Sequence, residues 1–238
     1  NIDGDTAMGT MLKYGSESAK QFYEMYVLNP RHAKAHRDGD IHIHDLDFLT
    51  LTTTCCQIDI VKLFKDGFST GHGFLREPND IQSYSALACI AIQSNQNDQH
   101  GGQSIPNFDY GMAIGVAKTY SKLYTKNLAK AAEILEGKSD LEESFKEIKR
   151  KVYAESGVKP RLEASEEYCR LEAPYLAEIV GEEAVEKLQK FAVKYSERET
   201  DRATYQAMEA LVHNLNAMHS RAGAQVPFSS INYGTDTT

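Results

Sequence analysis

Two histidines and two aspartates stand close together in the run Ile41-His-Ile-His-Asp-Leu-Asp47. The alternation of apolar and polar residues over Ile41–Asp45 predicts a strand, and residues two apart on a strand share one face. His42 and His44 would then act together, either as ligands of a metal ion or as contacts to a polar substrate. A third interpretation is that the His and Asp side chains only bind backbone groups at the end of the strand. Spacing alone leaves all three open.

Cys55 and Cys56 are adjacent in the Thr-rich segment Leu49–Asp59, which predicts a strand or extended segment that leads into a helix. Adjacent side chains on a strand face opposite ways, so at most one of the two thiols could face a given cavity. Each is either a small buried hydrophobe or a reactive thiol. We expect Cys55 to be free and not bonded to Cys56, because a disulfide between adjacent residues closes a strained ring.

Amide side chains are concentrated in Gln93–Asp98 and in His100–Ser104. We predict that these two runs lie at the end of a helix and at the start of a loop. Such amides are either solvated helix caps or readers of nucleobase edges. The pair Gly101-Gly102 between them would let a ligand approach the backbone closely.

The elements that must position these residues are mainly helices. Apolar spacing, caps and breakers predict an α/β chain that is predominantly helical with two or three strands. The predicted helices cover Asp5–Leu28, Arg31–Arg37, a short segment after Asp59, Asp80–Asn97, and most of Asn107–Gly223, with breaks near Gly137, Gly157 and Gly181. A final strand is predicted over Gln225–Tyr233.

Composition limits the classes of protein that fit. The chain has 238 residues, 41% hydrophobic and 25% charged, which suits one or at most two domains. A net charge of -8 disfavours nucleic acid as a partner, and no apolar run is long enough for a membrane span. We therefore expect a cytoplasmic protein. Both termini are expected to be cut points within a longer protein.

Four segments in order resemble the anaerobic ribonucleoside-triphosphate reductases. They are Asp38–Phe48, the Cys55 segment that follows it, Gly67-Phe68, and the Ala/Ile/Gln-rich helix that ends in His100-Gly-Gly. The resemblance covers about residues 16–115, and it resumes at His213-Asn-Leu-Asn and at Ser220–Phe228, which lead to Gly234-Thr. Residues 137–201 match nothing in the family pattern, and we expect them to be a helical insertion.

This resemblance implies a fold and an assembly. Family members have a ten-stranded α/β barrel of the glycyl-radical type, and residues 1–238 would be the first part of its catalytic domain. The implied assembly is a homodimer, an allosteric enzyme that supplies deoxyribonucleotides for DNA replication. An ATP-binding cone is expected upstream, and the glycyl-radical segment with its structural zinc site is expected downstream.

The resemblance also implies the chemistry of an oxidoreductase. An activating enzyme with an iron-sulfur cluster uses S-adenosylmethionine to generate the glycyl radical, which passes to a cysteine that abstracts the 3′ hydrogen of a ribonucleoside triphosphate. A second cysteine assists loss of the 2′ hydroxyl as water and supplies hydrogen to C2′. That cysteine falls on Cys55, because Ile58-Asp59 fixes the register.

Binding residues are implied in the same way. His42, His44, Asp45 and Thr54 would contact the substrate, and no residue of this chain is expected to bind a metal ion. Deoxynucleoside triphosphate and ATP are the expected effectors. The effector site and dimer interface would lie on the helix over 83–97, at Gln93 and Asn97.

Two other readings remain. One is a metal-dependent hydrolase, because His-x-His on an early barrel strand also begins the metal site of amidohydrolases. Against it, the later histidines His72, His100, His213 and His219 are predicted in loops or helices. The other is a non-catalytic helical module for dimerisation or nucleotide binding. We expect the 238-residue chain by itself to be inactive.

Overall fold

A computed structural model describes residues 6–71, 73–96, 98–162, 165–218 and 228–234. These residues form eight α-helices and five short strands. The helices are α1 (Ala7–Phe22), α2 (Pro30–Asp38), α3 (Ile60–Phe64), α4 (Ile81–Asn95), α5 (Phe108–Glu136), α6 (Glu142–Ser156), α7 (Ser165–Val180) and α8 (Glu182–Asn216). The strands are β1 (Thr54–Gln57), β2 (Phe68–Ser69), β3 (Phe74–Leu75), β4 (His100–Ile105) and β5 (Ser229–Ile231).

The helix boundaries follow the predicted signals. Helix α2 begins with Pro30 at its first turn and ends at Gly39, whose φ of 84° is the left-handed conformation that glycine adopts without strain. Asp80 caps α4 by accepting a hydrogen bond from the backbone N–H of Ser83 (2.9 Å). The predicted breaks at Gly137, Gly157 and Gly181 are confirmed as the ends of helices α5, α6 and α7. No helix among the described residues is both long and apolar enough to cross a bilayer.

The first of two compact units consists of Asn1–Glu77, Leu87–Asp109 and His213–Thr238. It contains a three-stranded parallel sheet in the order β1-β4-β5, and a separate antiparallel pair β2-β3. Helix α1 is tied to the short 3₁₀ helix Leu46–Phe48 that precedes β1, because Ser16 donates a hydrogen bond to Asp47 (2.6 Å). Parallel strands confirm the α/β class.

The predicted strand over residues 41–45 is wrong. This segment is a turn that leads into the 3₁₀ helix, and Asp45 has a φ of 48°. Backbone groups after α2 bind back to that helix, since the N–H of Ile41 donates to Ala35 (3.3 Å) and the N–H of Ile43 donates to the ring of His36 (3.2 Å). With those donors occupied locally, the alternating pattern has no strand to pair with.

The predicted loop over residues 100–104 is also wrong. It is strand β4, the centre of the three-stranded sheet. Gly101-Gly102 weakened the sequence signal for a strand, because glycine is depleted in strand interiors. His100 therefore begins a strand and does not lie in a loop.

The second compact unit consists of Pro78–Ala86 and Tyr110–Val212 and is helical throughout its described part. Its apolar core combines aromatic and aliphatic side chains from α5, α6, α7 and α8, among them Tyr120, Phe145, Leu176 and Leu188. Helix α6 carries opposite charges three and four residues apart on an exposed face. There Lys146 pairs with Glu142 (2.9 Å) and with Glu143 (2.7 Å).

A carboxylic acid lies within that core. Glu172 on α7 is 1% exposed and accepts hydrogen bonds from Tyr124 and from the side-chain amide of Gln189 (3.2 Å). Burial raises the pKa of Glu172 to about 7, although its hydrogen bonds act in the opposite direction. Burial likewise raises the pKa of the neighbouring Cys169 thiol to about 11.

Candidate active site

A groove of about 440 Å³ runs along the three-stranded sheet of the first unit. Its volume is within the range of small-molecule sites. The residues that line it come from all three strands and the residue before β5: Cys55, Cys56, Gln57, Gly102, Gln103, Ser104, Phe228, Ser229 and Ser230. The groove therefore brings both members of the predicted cysteine pair to one cavity.

Cys55 has an unusual backbone conformation for a strand residue. Its φ of 60° lies in the left-handed region, which costs a non-glycine residue about 1–2 kcal/mol. The strand pairing is irregular at the same place, because β1 advances two residues from Thr54 to Cys56 while β4 advances three from His100 to Gln103. The side chains of a regular strand would alternate, whereas here both cysteines line the same groove.

The two thiols differ in their surroundings. Cys55 is exposed, whereas Cys56 is half-buried and its Sγ accepts a hydrogen bond from the side-chain amide of Asn95 (3.0 Å). Burial raises the pKa of the Cys56 thiol above its ordinary value, partly offset by the Asn95 bond. None of the four cysteines forms a disulfide, which confirms the prediction that Cys55 is not bonded to Cys56.

A group of amide side chains lies behind the cysteine pair. Asn95, at the end of α4, also donates to the side-chain carbonyl of Gln99 (2.8 Å). Gln99 in turn donates to the backbone carbonyl of Cys55 (3.1 Å) and to the hydroxyl of Thr53 (3.1 Å). The amide-rich stretch therefore binds the cysteine segment. Asn95 and Gln99 are not simply helix caps that face solvent.

Asp45 joins the histidine segment to the sheet. Its carboxylate lies 3.4 Å from Nε2 of His44 and 3.3 Å from Nε2 of His100, and only 15% of its side chain is exposed. The His100 ring stacks on Phe48 at a centroid distance of 3.9 Å. His100 is also the register partner of Thr54. Asp45 and Thr54 are therefore both linked to His100. Thr54 is also the residue that precedes Cys55.

The histidine pair lies at the surface of the first unit. His42 and His44 lie 5.7 Å apart between ring centroids on the turn after α2, and both are exposed. They share a surface because the turn places them together and not because of a common strand face. Neither belongs to the residues that line the groove.

The remaining predicted residues are not drawn into this site. Gln93 is exposed on α4, and Asn97 lies outside the described residues, as do His72, His219 and the segment 220–227. Across the described part of the chain, no three His, Cys, Asp or Glu side chains are grouped so as to hold a metal ion.

Sequence reasoning missed the roles of three site residues: Asn95, Gln99 and His100. The amide content of 93–104 was a usable signal, but its contacts depend on the parallel pairing of β1 with β4, which local patterns do not encode. The sequence predicts a loop at His100, and a loop residue has no register opposite Thr54.

Comparisons with known proteins show which family this chain resembles. The family model for the anaerobic ribonucleoside-triphosphate reductase matches residues 1–238. The reductase of that name from Enterobacteria phage T4 is 23% identical over 206 residues, which is 86% of this chain and 24% of that protein. Those from Salmonella typhimurium and Escherichia coli are each 29% identical over 106 residues, or 44% of this chain and 15% of each relative.

The chain thus spans about a quarter or less of the length of these relatives. The match to the family model is nevertheless continuous over the sheet, the groove and the helical unit. The chain belongs to the anaerobic ribonucleoside-triphosphate reductase family.

Proposed function

We propose that this chain is part of an enzyme that converts ribonucleoside triphosphates to 2′-deoxyribonucleoside triphosphates, and that Cys55 supplies the hydrogen that C2′ receives. One observation carries the assignment to Cys55. In a chain of this family, the Cys55 residue is exposed at the wall of a groove of suitable size. Its neighbour Cys56 is half-buried and hydrogen-bonded to Asn95.

The chemistry asked of Cys55 is a hydrogen transfer. After the 3′ hydrogen has been abstracted, the 2′ hydroxyl leaves as water with the proton of the 3′ hydroxyl, and the 3′ carbon becomes a carbonyl. The S–H bond of Cys55 then breaks, and its hydrogen atom forms the new C–H bond at C2′. The sulfur must afterwards regain a hydrogen from a reductant supplied from outside these residues. A thiol on a paired strand suits this step because the backbone fixes its distance from the sugar.

Contacts to the substrate are proposed for the residues around Cys55. Thr54 precedes Cys55 on β1 and is the register partner of His100 on β4. The Asp45 carboxylate lies beside the His100 ring. His42 and His44 present two exposed imidazoles that suit the anionic groups of a nucleotide. These residues would bind and orient the substrate while Cys55 reacts.

The groups that start the reaction are placed elsewhere in the protein. A glycyl radical, generated by a separate activating enzyme, would supply the initial one-electron oxidation. The structural zinc is likewise proposed for a part of the parent protein outside these residues. We also propose that the sheet β1-β4-β5 is the beginning of a ten-stranded barrel, which its purely parallel pairing supports.

Assembly and regulation are proposed by the same reasoning. Residues 137–201 would be a helical insertion, since they lie within a compact helical unit with its own core. The protein would act as a cytoplasmic homodimer that binds ATP at the upstream cone and a deoxynucleoside triphosphate effector near Gln93 and Asn97. A thermal shift on adding deoxynucleoside triphosphate, reduced by Gln93→Ala, would support this effector site.

The activity is tested with Cys55→Ser and Cys56→Ser in the full-length protein. A hydroxyl is similar in size to a thiol but holds its hydrogen more tightly. We expect Cys55→Ser to abolish turnover of ribonucleoside triphosphate under strict anaerobiosis, with substrate and effector binding nearly intact. Cys56→Ser should cost much less.

Melting curves separate chemistry from stability in this comparison. If the cysteines only pack, both substitutions should act through stability, by about 1–3 kcal/mol for a poorly paired hydroxyl. Normal turnover by a folded Cys55→Ser protein would refute the assignment. Loss of turnover in Cys56→Ser alone would move it to the neighbouring thiol.

A further inference from the structure

We infer that Asn95 and Gln99 are positioning residues, here named the amide clamp, that determine which of the two adjacent thiols is presented to the substrate. The inference rests on the proposed role of Cys55. It concerns residues of α4 and of the segment before β4, which the proposed chemistry does not use.

The clamp acts on the two cysteines at different atoms. Asn95 binds the sulfur of Cys56 at 3.0 Å, so that this thiol is directed toward the end of α4. Gln99 binds the backbone carbonyl of Cys55 at 3.1 Å and leaves its sulfur free of that contact. One amide therefore restrains a side chain, and the other restrains the backbone of its neighbour.

The two amides are themselves coupled. Asn95 donates to the side-chain carbonyl of Gln99 at 2.8 Å, which fixes the orientation of both groups. Gln99 additionally binds the Thr53 hydroxyl, and the Thr52 hydroxyl donates to the backbone carbonyl of Asp98 at 2.9 Å. The segment before β1 is thus connected by side chains to the segment before β4.

These hydrogen bonds lie at a point where the geometry of the strand alone would not determine which thiol faces the substrate. Cys55 is in a left-handed conformation opposite the irregular pairing at Gly101-Gly102. A relaxed, extended Cys55 would restore the alternation of a regular strand and turn its side chain relative to Cys56. The hydrogen bond from Gln99 to the Cys55 carbonyl opposes that relaxation.

The test compares three variants of the full-length protein with the wild type. Gln99→Met and Asn95→Leu remove the amide donors with little change in size. Gln82→Met, at an exposed glutamine on α4, is the matched control. Iodoacetamide labelling is followed by fragmentation mass spectrometry, which distinguishes alkylation of Cys55 from alkylation of Cys56 without any need for turnover.

In the wild type, Cys55 should be alkylated faster than Cys56. Loss of the Gln99 bond should lower the ratio of the two rates by roughly three- to tenfold, the range expected for one hydrogen bond. Asn95→Leu should instead move the pH midpoint of Cys56 alkylation upward, because the amide favours the thiolate. In turnover assays, Gln99→Met should lower kcat and leave KM unchanged, since the substrate still binds but meets a displaced thiol.

Asn95 and Gln99 are both half-buried. The bond from Gln99 to Cys55 is exposed, whereas the bond from Asn95 to Cys56 is partly buried, so Gln99→Met provides the safer variant. An alkylation ratio in Gln99→Met equal to that of Gln82→Met would overturn the inference. A lowered ratio with unchanged kcat would overturn it as well, because the clamp would then position nothing that turnover needs. Failure of the proposed function is seen separately, as normal turnover by Cys55→Ser.

Discussion

Gly101 lies directly against Cys55 across the β1-β4 pair. A Cβ atom at position 101 would lie 3.0 Å from the backbone nitrogen of Cys55 and 3.0 Å from its Sγ. Gly101 also has a φ of 91°, which side chains rarely adopt. The absence of a side chain at 101 is therefore what allows the Cys55 thiol to lie beside β4.

Gly101→Ala should destabilise the protein and displace the Cys55 thiol. The strained φ and the tight contact together should lower the free energy of unfolding by about 1–3 kcal/mol, measured by urea denaturation. Two controls separate these causes. Gly39→Ala adds only a positive-φ strain, because nothing lies within 4 Å of its Cβ, and Gly102→Ala adds only an ordinary contact at 3.5 Å. An effect of Gly101→Ala on Cys55 alkylation no larger than that of Gly39→Ala would contradict the contact.

The four thiols should react in an order that follows their burial. Cys55 is exposed, Cys56 and Cys169 are half-buried with raised pKa values, and Cys89 is buried at 6% exposure. We expect an alkylating reagent at pH 8 to label Cys55 first and Cys89 last. The unfolded chain should titrate four thiols without reductant, and fewer than four would indicate a disulfide.

The parts of the site that could be predicted from the sequence are those that depend on local rules. The caps at Asp80 and Gly39 and the extended segment around Cys55 each follow from a few neighbouring residues. The Cys55 assignment came from a resemblance and remains a proposal. The structure supplies an exposed thiol at that position.

The remaining parts depend on pairing between distant segments. A strand over 41–45 was predicted from alternation, but the N–H groups of Ile41 and Ile43 are satisfied by α2. The opposite error occurred at β4, where two glycines concealed the central strand of the sheet. Because β4 was missed, neither the left-handed Cys55 nor the contact between Asp45 and His100 could be foreseen.

Asp45→Asn tests whether the histidine cluster contributes to substrate binding. The substitution keeps the size of the side chain but removes the charge between His44 and His100. We expect KM for ribonucleoside triphosphate to rise several-fold with a small cost in stability, of about 1 kcal/mol. Asp40→Asn, at an exposed position in the same segment, is the control. A KM unchanged in Asp45→Asn would remove Asp45 from the substrate site.

The buried Glu172 should make the stability of the protein depend on pH. Its pKa is about 7 in the folded protein and near the ordinary 4.5 when unfolded, so the folded state binds the proton more tightly. The stabilisation that this tighter proton binding gives is fully present below pH 4.5. Stability from this group is then lost as the pH rises through about 7, by about 3 kcal/mol in total.

Glu172→Gln removes this titration while keeping the shape of the side chain. The amide oxygen can still accept a hydrogen bond from Tyr124 or Gln189, although the amide nitrogen faces donors and will cost some stability at low pH. Urea denaturation at pH 5.5 and at pH 8 should therefore show a smaller difference in the variant than in the wild type. The exposed Glu178 on the same helix provides Glu178→Gln as the control, which should keep the wild-type difference. Equal pH dependence in Glu172→Gln and the wild type would mean that Glu172 stays ionised in the core throughout this range.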